Sequence, residues 1–334
     1  MSGRHIGTGS ECLWTASPLI GKAMKAGIVG VGKVGGAVAF ALAREGPWDE
    51  LVLVDAVPDL AWAQAEDIRH GLRLSTQPAI RVGQVPDLAE CDVVVLAAGQ
   101  GRRPEMTRLD LLHANAGLVA ELSRDIARVA RRASLVVLTN PMDVMTTIAW
   151  QSTGWPRTRV LGSGTLLDSQ RLRMILADHL NVPSVKISAT VLGEHGERVV
   201  PVFSRAKVSG RRPTLSAKDK EEITRRLRDV STRIIAAKGG TAFGPAGATV
   251  ELVQALIGSR PRVVPCSVVL EGEYGVHGVA IGVPAVLGTG RVLALEEWPL
   301  AEDEQAAFEE AARDLKAFAD DAAVLLKVNP QPSR

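Results

Sequence analysis

Residues 26–35 read Ala26-Gly-Ile-Val-Gly30-Val-Gly32-Lys-Val-Gly35, an apolar run that breaks into a glycine-rich turn. The run Ala26–Val31 predicts a strand, and Val34–Arg44 predicts the helix that follows it. Asp55 stands 20 residues after Gly35, at the end of the next predicted strand, Leu51–Asp55. A G-x-G-x-x-G turn between strand and helix, with an acid at that distance, has the arrangement of a dinucleotide-binding loop. Gly30 permits the tight turn, Gly32 leaves the pyrophosphate free access, and Gly35 lets the helix press on the sheet. The amides at the helix start then face the anion. Asp55 can accept both hydrogens of the adenosine ribose diol and repels a 2′-phosphate, which favours NAD over NADP. Two other readings are weaker. Parsed as a P-loop from Gly27 to Lys33, the motif puts Val34 where Ser or Thr must reach Mg²⁺. A glycine turn with no ligand is the plain structural alternative.

Outward from this turn the same rhythm continues. Asp92–Ala97 and Ser134–Leu138 predict further strands, apolar almost throughout as parallel strands buried on both faces should be. Leu60–His70 and Arg108–Arg132 predict helices between them. Alternating strands and helices with short links imply a doubly wound parallel sheet. After about residue 150 the pattern changes. Leu166–His179, Ala217–Ala237 and Ala246–Gly258 predict helices, and Val185–Leu192, Val263–Leu270, Gly278–Val286 and Arg291–Leu295 predict strands of an antiparallel arrangement. Ala301–Val328 predicts a packed terminal helix whose opening acids, Glu302, Asp303 and Glu304, suit the positive helix end. The fold class is therefore α/β, a parallel-sheet Rossmann domain over 24–150 followed by an α+β substrate domain over 151–328. Residues 1–23 show no period and are expected to form an extension outside the fold, and 329–334 a tail.

Composition sets broad limits. The 334 residues are 46% hydrophobic and 23% charged, a globular balance that suits about two domains. The formal net charge is +2 from 39 basic and 37 acidic residues, with no basic block that would mark a nucleic-acid partner. Apolar runs are too short for a membrane span, and the opening residues lack the core of a signal peptide. Cys12, Cys91 and Cys266 are odd in number and widely spaced. They suggest neither a disulfide framework nor a thiolate metal site, and a reducing cytoplasm is the expected setting.

Four further segments carry chemistry. Gly193-Glu-His195-Gly196 ends an apolar run on a histidine set between two glycines of the motif. Thr165-Leu-Leu-Asp168-Ser-Gln-Arg171 sets a carboxylate and a guanidinium at i and i+3, on one helix face. Leu138-Thr139-Asn140-Pro-Met-Asp143 stops the fourth predicted strand at an Asn-Pro turn, on the carboxyl edge of the sheet where such folds bind ligands. Gly99-Gln-Gly-Arg102-Arg103-Pro-Glu-Met-Thr-Arg108 is a basic loop after the third predicted strand. Taken singly, each has an ordinary reading as a structural histidine, a surface pair, a turn or a solvated loop.

Together, and in this order, the segments resemble the L-lactate/L-malate dehydrogenase family. Ala65-Glu-Asp-Ile68, Arg108-Leu-Asp-Leu111 through Asn115, Glu271-Gly-Glu-Tyr274-Gly and Ile281-Gly-Val-Pro284 extend the resemblance over nearly all of 24–327. It implies reversible hydride transfer between NAD and a 2-hydroxy acid or its 2-keto acid, without a metal. His195 would be the acid/base and Asp168 the carboxylate that orients its ring. Arg171 would clamp the substrate carboxylate, a planar fork that Lys cannot copy. Arg108 would polarise the carbonyl, with Asn140 and Thr241 also at the substrate. Lys33, Val34, Gly99, Asn115, Thr139 and Asn140 would join Gly30, Gly32, Gly35 and Asp55 around the cofactor. The resemblance also implies a homodimer or homotetramer.

Within the family, the loop position six before the polarising Arg distinguishes substrates, and here it is Arg102. A lactate-type loop has Gln there; an Arg pairs with the second carboxylate of malate or oxaloacetate, and a closed site with an unpaired guanidinium is penalised with pyruvate. Met106 and Val264-Pro-Cys266 are also malate-like. Glu194, Gly162-Ser-Gly-Thr165 and Thr241 are lactate-like, and Glu105 replaces the Gly usual after the loop proline. The expectation is a malate dehydrogenase of the tricarboxylic acid cycle on a lactate-type frame. A lactate dehydrogenase or a broad 2-hydroxy acid dehydrogenase is the alternative, and a non-catalytic NAD-binding protein a remote one.

Overall fold

The computed structural model describes residues 23–72, 78–100 and 107–328. Its first half runs β1 (Lys25–Val29), α1 (Lys33–Glu45), β2 (Glu50–Val54), α2 (Pro58–Gly71), β3 (Ala79–Val82), β4 (Val93–Leu96), α3 (Arg108–Val129), β5 (Ser134–Val137), α4 (Met142–Thr153) and β6 (Val160–Gly162). These strands pair in the order β3-β2-β1-β4-β5-β6, all in parallel. The order reverses between β1 and β4, and it is at such a switch point that an open parallel sheet forms its ligand crevice.

Side-chain alternation explains why these strands read as unbroken apolar runs. Ile28, Leu51, Leu53, Val93 and Val95 enter one core, which α1 and α2 cover with Val38, Leu42, Ala61, Ala65 and Ile68. Their neighbours Val29, Val52, Val54, Val94 and Leu96 enter a second core, which α3 and α4 cover with Leu112, Val119, Met145 and Ile148. A strand buried on both faces has no polar face to show.

The second half comprises α5 (Gly164–Leu180), β7 (Ile187–Ser188), β8 (Val191–Gly193), β9 (Val199–Pro201), β10 (Lys207–Val208), α6 (Ala217–Lys238), α7 (Phe243–Ile257), β11 (Arg262–Glu271), β12 (His277–Gly288), β13 (Arg291–Leu295) and α8 (Glu302–Val328). It does not form a separate sheet. β11 pairs antiparallel with β6, and the same sheet runs on through β12, β8 and β9, with β13 also on β12. β7 and β10 form a small ribbon of their own. The predicted single strand Val185–Leu192 is therefore corrected. A short 3₁₀ turn at Ser184–Lys186, with Val185 exposed, precedes β7, and the chain changes sheets between Ser188 and Val191.

Two helices show how the ends are fixed. α3 and α6 begin with reciprocal capping boxes, Thr107 with Asp110 and Ser216 with Asp219. α8 lays the fully buried Phe308 and the buried Ala311 and Leu315 into the second core. The buried Glu304 carboxylate in its first turn accepts the backbone N–H groups of Ala301 and Ser204. Among the described residues, no helix is long and apolar enough to cross a membrane.

Candidate active site

The glycine loop joins β1 to α1 as the motif predicts. Gly30 has φ +87°, and a Cβ there would stand 2.4 Å from the backbone of Ala98. A Cβ on Gly35 would stand 1.8 Å from the Gly30 carbonyl oxygen, so only glycine lets α1 start here. Gly32 differs, because nothing lies within 4 Å of where its Cβ would be. Its lack of a side chain serves the space in front of the loop rather than internal packing. α1 also has no acidic residue in its first turn, unlike α3, α6 and α8, so its opening N–H groups meet no competing carboxylate from that turn.

Asp55 ties the loop to the end of β2, accepting the N–H of Val31 at 2.8 Å on one carboxylate oxygen and that of Val57 at 3.0 Å on the other. Each oxygen keeps acceptor capacity for a further donor. Gly30, Gly32, Lys33, Val34, Gly35, Asp55, Gly99, Thr139 and Asn140 line one cleft of about 850 Å³. The open space over Gly32, the anion-ready helix start and the carboxylate at the rim fit a dinucleotide. Lys33 turns its ammonium to the C-terminal end of α6, donating to the carbonyls of Lys238 and Gly239 at 3.1 and 3.2 Å. Asn115 lies behind the cleft rather than in it. Wholly buried, it accepts the Gln100 N–H at 2.8 Å and donates to the carbonyls of Gln100 (3.1 Å) and Asn140 (2.7 Å), which locks the two loops that form the cleft wall.

A second cleft, of about 210 Å³, adjoins the first at Val34, Leu138 and Asn140. Asn140, Asp168, Arg171, His195 and Thr241 all line it, although they come from four separate parts of the chain. Asn140 sits at the turn after β5, where its peptide bond to Pro141 is cis. Asp168 and Arg171 lie on the first turns of α5, after β6, and His195 follows β8. The site thus gathers at strand ends of one continuous sheet.

His195 and Asp168 form its centre. Nδ1 of the imidazole lies 2.6 Å from Asp168 Oδ2, and the other Asp168 oxygen accepts from the Arg171 guanidinium at 3.0 Å. An Nδ1–H donated to the carboxylate leaves Nε2 as the ring atom free for chemistry. Burial pushes the His195 pKa down, but the Asp168 carboxylate outweighs it and the net shift is upward from 6.5. Close packing holds the ring there, since a Cβ on Gly164 would come within 2.4 Å of the His195 side chain.

The sequence did not point to two features. Asp143, at the start of α4, accepts the backbone N–H of His195 at 2.8 Å and is 1% exposed. Leu227, Ser231 and Ile235, at i, i+4 and i+8 on α6, also face the second cleft. Their spacing fits a helix face, but nothing in the sequence says which face meets the site. Arg108 opens α3, while Gly101, Arg102, Glu105 and Met106 lie outside the described residues.

Known proteins share this fold over nearly the whole described chain. The family model for the lactate/malate dehydrogenase NAD binding domain matches residues 24–162, and that for the alpha/beta C-terminal domain of the same enzymes matches 165–324. The chain is 38% identical to a malate dehydrogenase of Halobacterium salinarum over 303 residues, 90% of this chain and 99% of that protein. It is 35% identical to an L-lactate dehydrogenase of Halalkalibacterium halodurans over 300 residues, 89% of this chain and 97% of that one. Among solved structures, the malate dehydrogenase of Cryptosporidium parvum superposes with a TM-score of 0.86 at 28% identity, covering 91% of this chain and all of the other. The minor L-lactate dehydrogenase of Enterococcus mundtii superposes at 0.85 with 30% identity, covering 90% and 98%.

Proposed function

Because the chain belongs to the lactate/malate dehydrogenase family of NAD-dependent 2-hydroxy acid dehydrogenases, we propose that its substrate pair is (S)-malate and oxaloacetate. Arg102 carries this choice. It follows Gly99 and Gly101 in the loop before α3, where a guanidinium can meet the second carboxylate that pyruvate lacks. Glu194 and Thr241 favour the lactate type, but Arg102 is the residue whose charge answers the group that distinguishes the substrates.

The chemistry follows from the site. Bound NAD supplies the hydride donor or acceptor at the substrate's second carbon. Arg171 holds the first carboxylate through the guanidinium edge that Asp168 leaves free, and Arg108 and Asn140 polarise the carbonyl oxygen. In reduction, protonated His195 gives its Nε2 proton to that oxygen. In oxidation the neutral ring takes the proton back. Asp168 stabilises the imidazolium and keeps Nδ1 protonated throughout. Among the described residues Cys91 and Cys266 are buried free thiols, both pushed up to about 12 by burial, which supports a cytoplasmic setting, and the family supports a homodimer or homotetramer.

The deciding experiment compares kcat/KM for oxaloacetate and pyruvate in the wild-type protein and in Arg102→Gln. A wild-type preference for oxaloacetate of at least about tenfold, or about 1.4 kcal/mol, is expected, flattened or reversed in the variant. A wild-type preference for pyruvate would instead assign the chain to lactate.

A further inference from the structure

Behind the imidazole stands a second carboxyl group with no part in the chemistry above. Asp143 is 1% exposed and holds the His195 backbone through Oδ2 at 2.8 Å, yet its Oδ1 has no hydrogen-bond partner. The hydroxyls of Ser267 and Thr165 are likewise buried without partners. A row of small residues brings these groups together. Gly162, Ser267, Gly282 and Gly193 stand side by side across β6, β11, β12 and β8. Met142 and Thr146 fill the space over Gly162, and Thr165 fills that over Gly282.

The charges around this pocket are unequally shared. The Arg171 guanidinium and the His195 ring both address Asp168. Asp143 receives one backbone N–H and pairs with neither cation. Glu194 and Glu197, beside His195 in the chain, add acid rather than base. A buried carboxylate with one donor is expensive to keep ionised, and a neighbouring carboxylate makes it more so. Burial is the main cause that raises the Asp143 pKa and the Asp168 charge acts in the same direction, together outweighing the Ser267 hydroxyl, the His195 N–H and the His195 charge, which pull it down.

We propose that Asp143 is a positioning residue that works as a neutral carboxylic acid, its Oδ2 fixing the His195 backbone and its Oδ1 keeping a proton beside Ser267. Asp168 alone then supplies the charge that sets the imidazole. The division has a chemical purpose, because two ionised carboxylates would hold the imidazolium proton too firmly for transfer near neutral pH. The functional side of this inference rests on the dehydrogenase reading. The protonation state does not.

The test pairs Asp143→Asn with Asp143→Ala. In Asp143→Asn an amide oxygen still accepts the His195 N–H, and no charge is lost if the acid is neutral. The alkaline limb of kcat/KM for keto-acid reduction should therefore stay within about half a pH unit of the wild type. Asp143→Ala should lower kcat further than Asp143→Asn does, so that the amide counts as a partial rescue. A limb that moves down by about one pH unit or more in Asp143→Asn would show an ionised wild-type carboxylate and overturn the proposal. If Asp143→Asn does not fold, infrared spectra of wild-type protein made with isotope-labelled aspartate decide instead. A protonated-acid carbonyl band at neutral pH supports the proposal, and its absence overturns it. This reading needs no substrate, so inactivity towards every 2-keto acid would sink the function while leaving the acid's state measurable.

Discussion

His195→Gln is expected to lower kcat by about 10²–10⁴-fold in both directions while NADH still binds. The glutamine side chain can hydrogen-bond a carbonyl oxygen but cannot deliver a proton to it at neutral pH. His195 lines the substrate cleft and is absent from the dinucleotide cleft, which is why cofactor affinity should hold. In the wild type, the raised His195 pKa sets the sign of the pH dependence. Reduction needs the imidazolium, so its kcat/KM should persist above the ordinary histidine value and fall as pH passes the raised pKa. Oxidation needs the neutral ring and should rise over the same range. Steady-state rates in both directions across pH, with NADH affinity measured by fluorescence, check the whole set. Equal loss of rate and of cofactor binding in His195→Gln would point to a structural histidine.

Asp168→Asn should act on the same step by a different route. The amide preserves shape, but its NH₂ can face Nδ1 as a donor, which favours the tautomer with Nε2 protonated in the neutral ring and Nδ1 as acceptor. The imidazolium also loses its counter-charge. The nearest general precedent, an aspartate-to-asparagine change behind a catalytic histidine, costs about 10⁴-fold in kcat, and a fall of about 10²–10⁴ is expected here. The sign of the pH effect follows from the cause of the shift. Asp168 is the largest of the influences that raise His195, so its loss should move the alkaline limb of reduction downward. Arg171 would keep a neutral oxygen acceptor in place of the charged one at 3.0 Å, so KM for the keto acid should change along with kcat. A limb left in place by Asp168→Asn would mean that another group sets the imidazole.

The sequence exposed those elements whose burial is simple. β1, β2, β4 and β5 are covered on both faces and show as apolar runs, and the glycine loop shows because its three glycines answer separate steric demands. α4 was missed for a related reason. All of Met142–Ala149 is buried, so the helix has no polar face and no amphipathic period, and its Val144, Thr146, Thr147 and Ile148 are β-branched. β3 is a half-exposed edge strand carrying Arg81, and β6 is only three residues long.

The site divides along the same line. Asp168 and Arg171 are one helical turn apart, and their pairing is legible from spacing. The approach of His195 to Asp168 is not, because it depends on how β6 and β8 are placed in one sheet across β11 and β12. Asp143 shows the limit most clearly. Its partner is a backbone N–H 52 residues away, and no residue type announces such a contact. Asn115, read as a cofactor contact through the family resemblance, serves in the structure as a strut between two loops, a role that only its three hydrogen bonds reveal.

Transfer of a hydride and a proton to a small 2-keto acid at this site can be measured directly. Wild-type protein is mixed with NADH and oxaloacetate, then with NADH and pyruvate, and the absorbance of NADH is followed. NADH loss is expected with either acid, faster with oxaloacetate. NADH that binds, as its fluorescence reports, and yet is consumed with neither acid would contradict it.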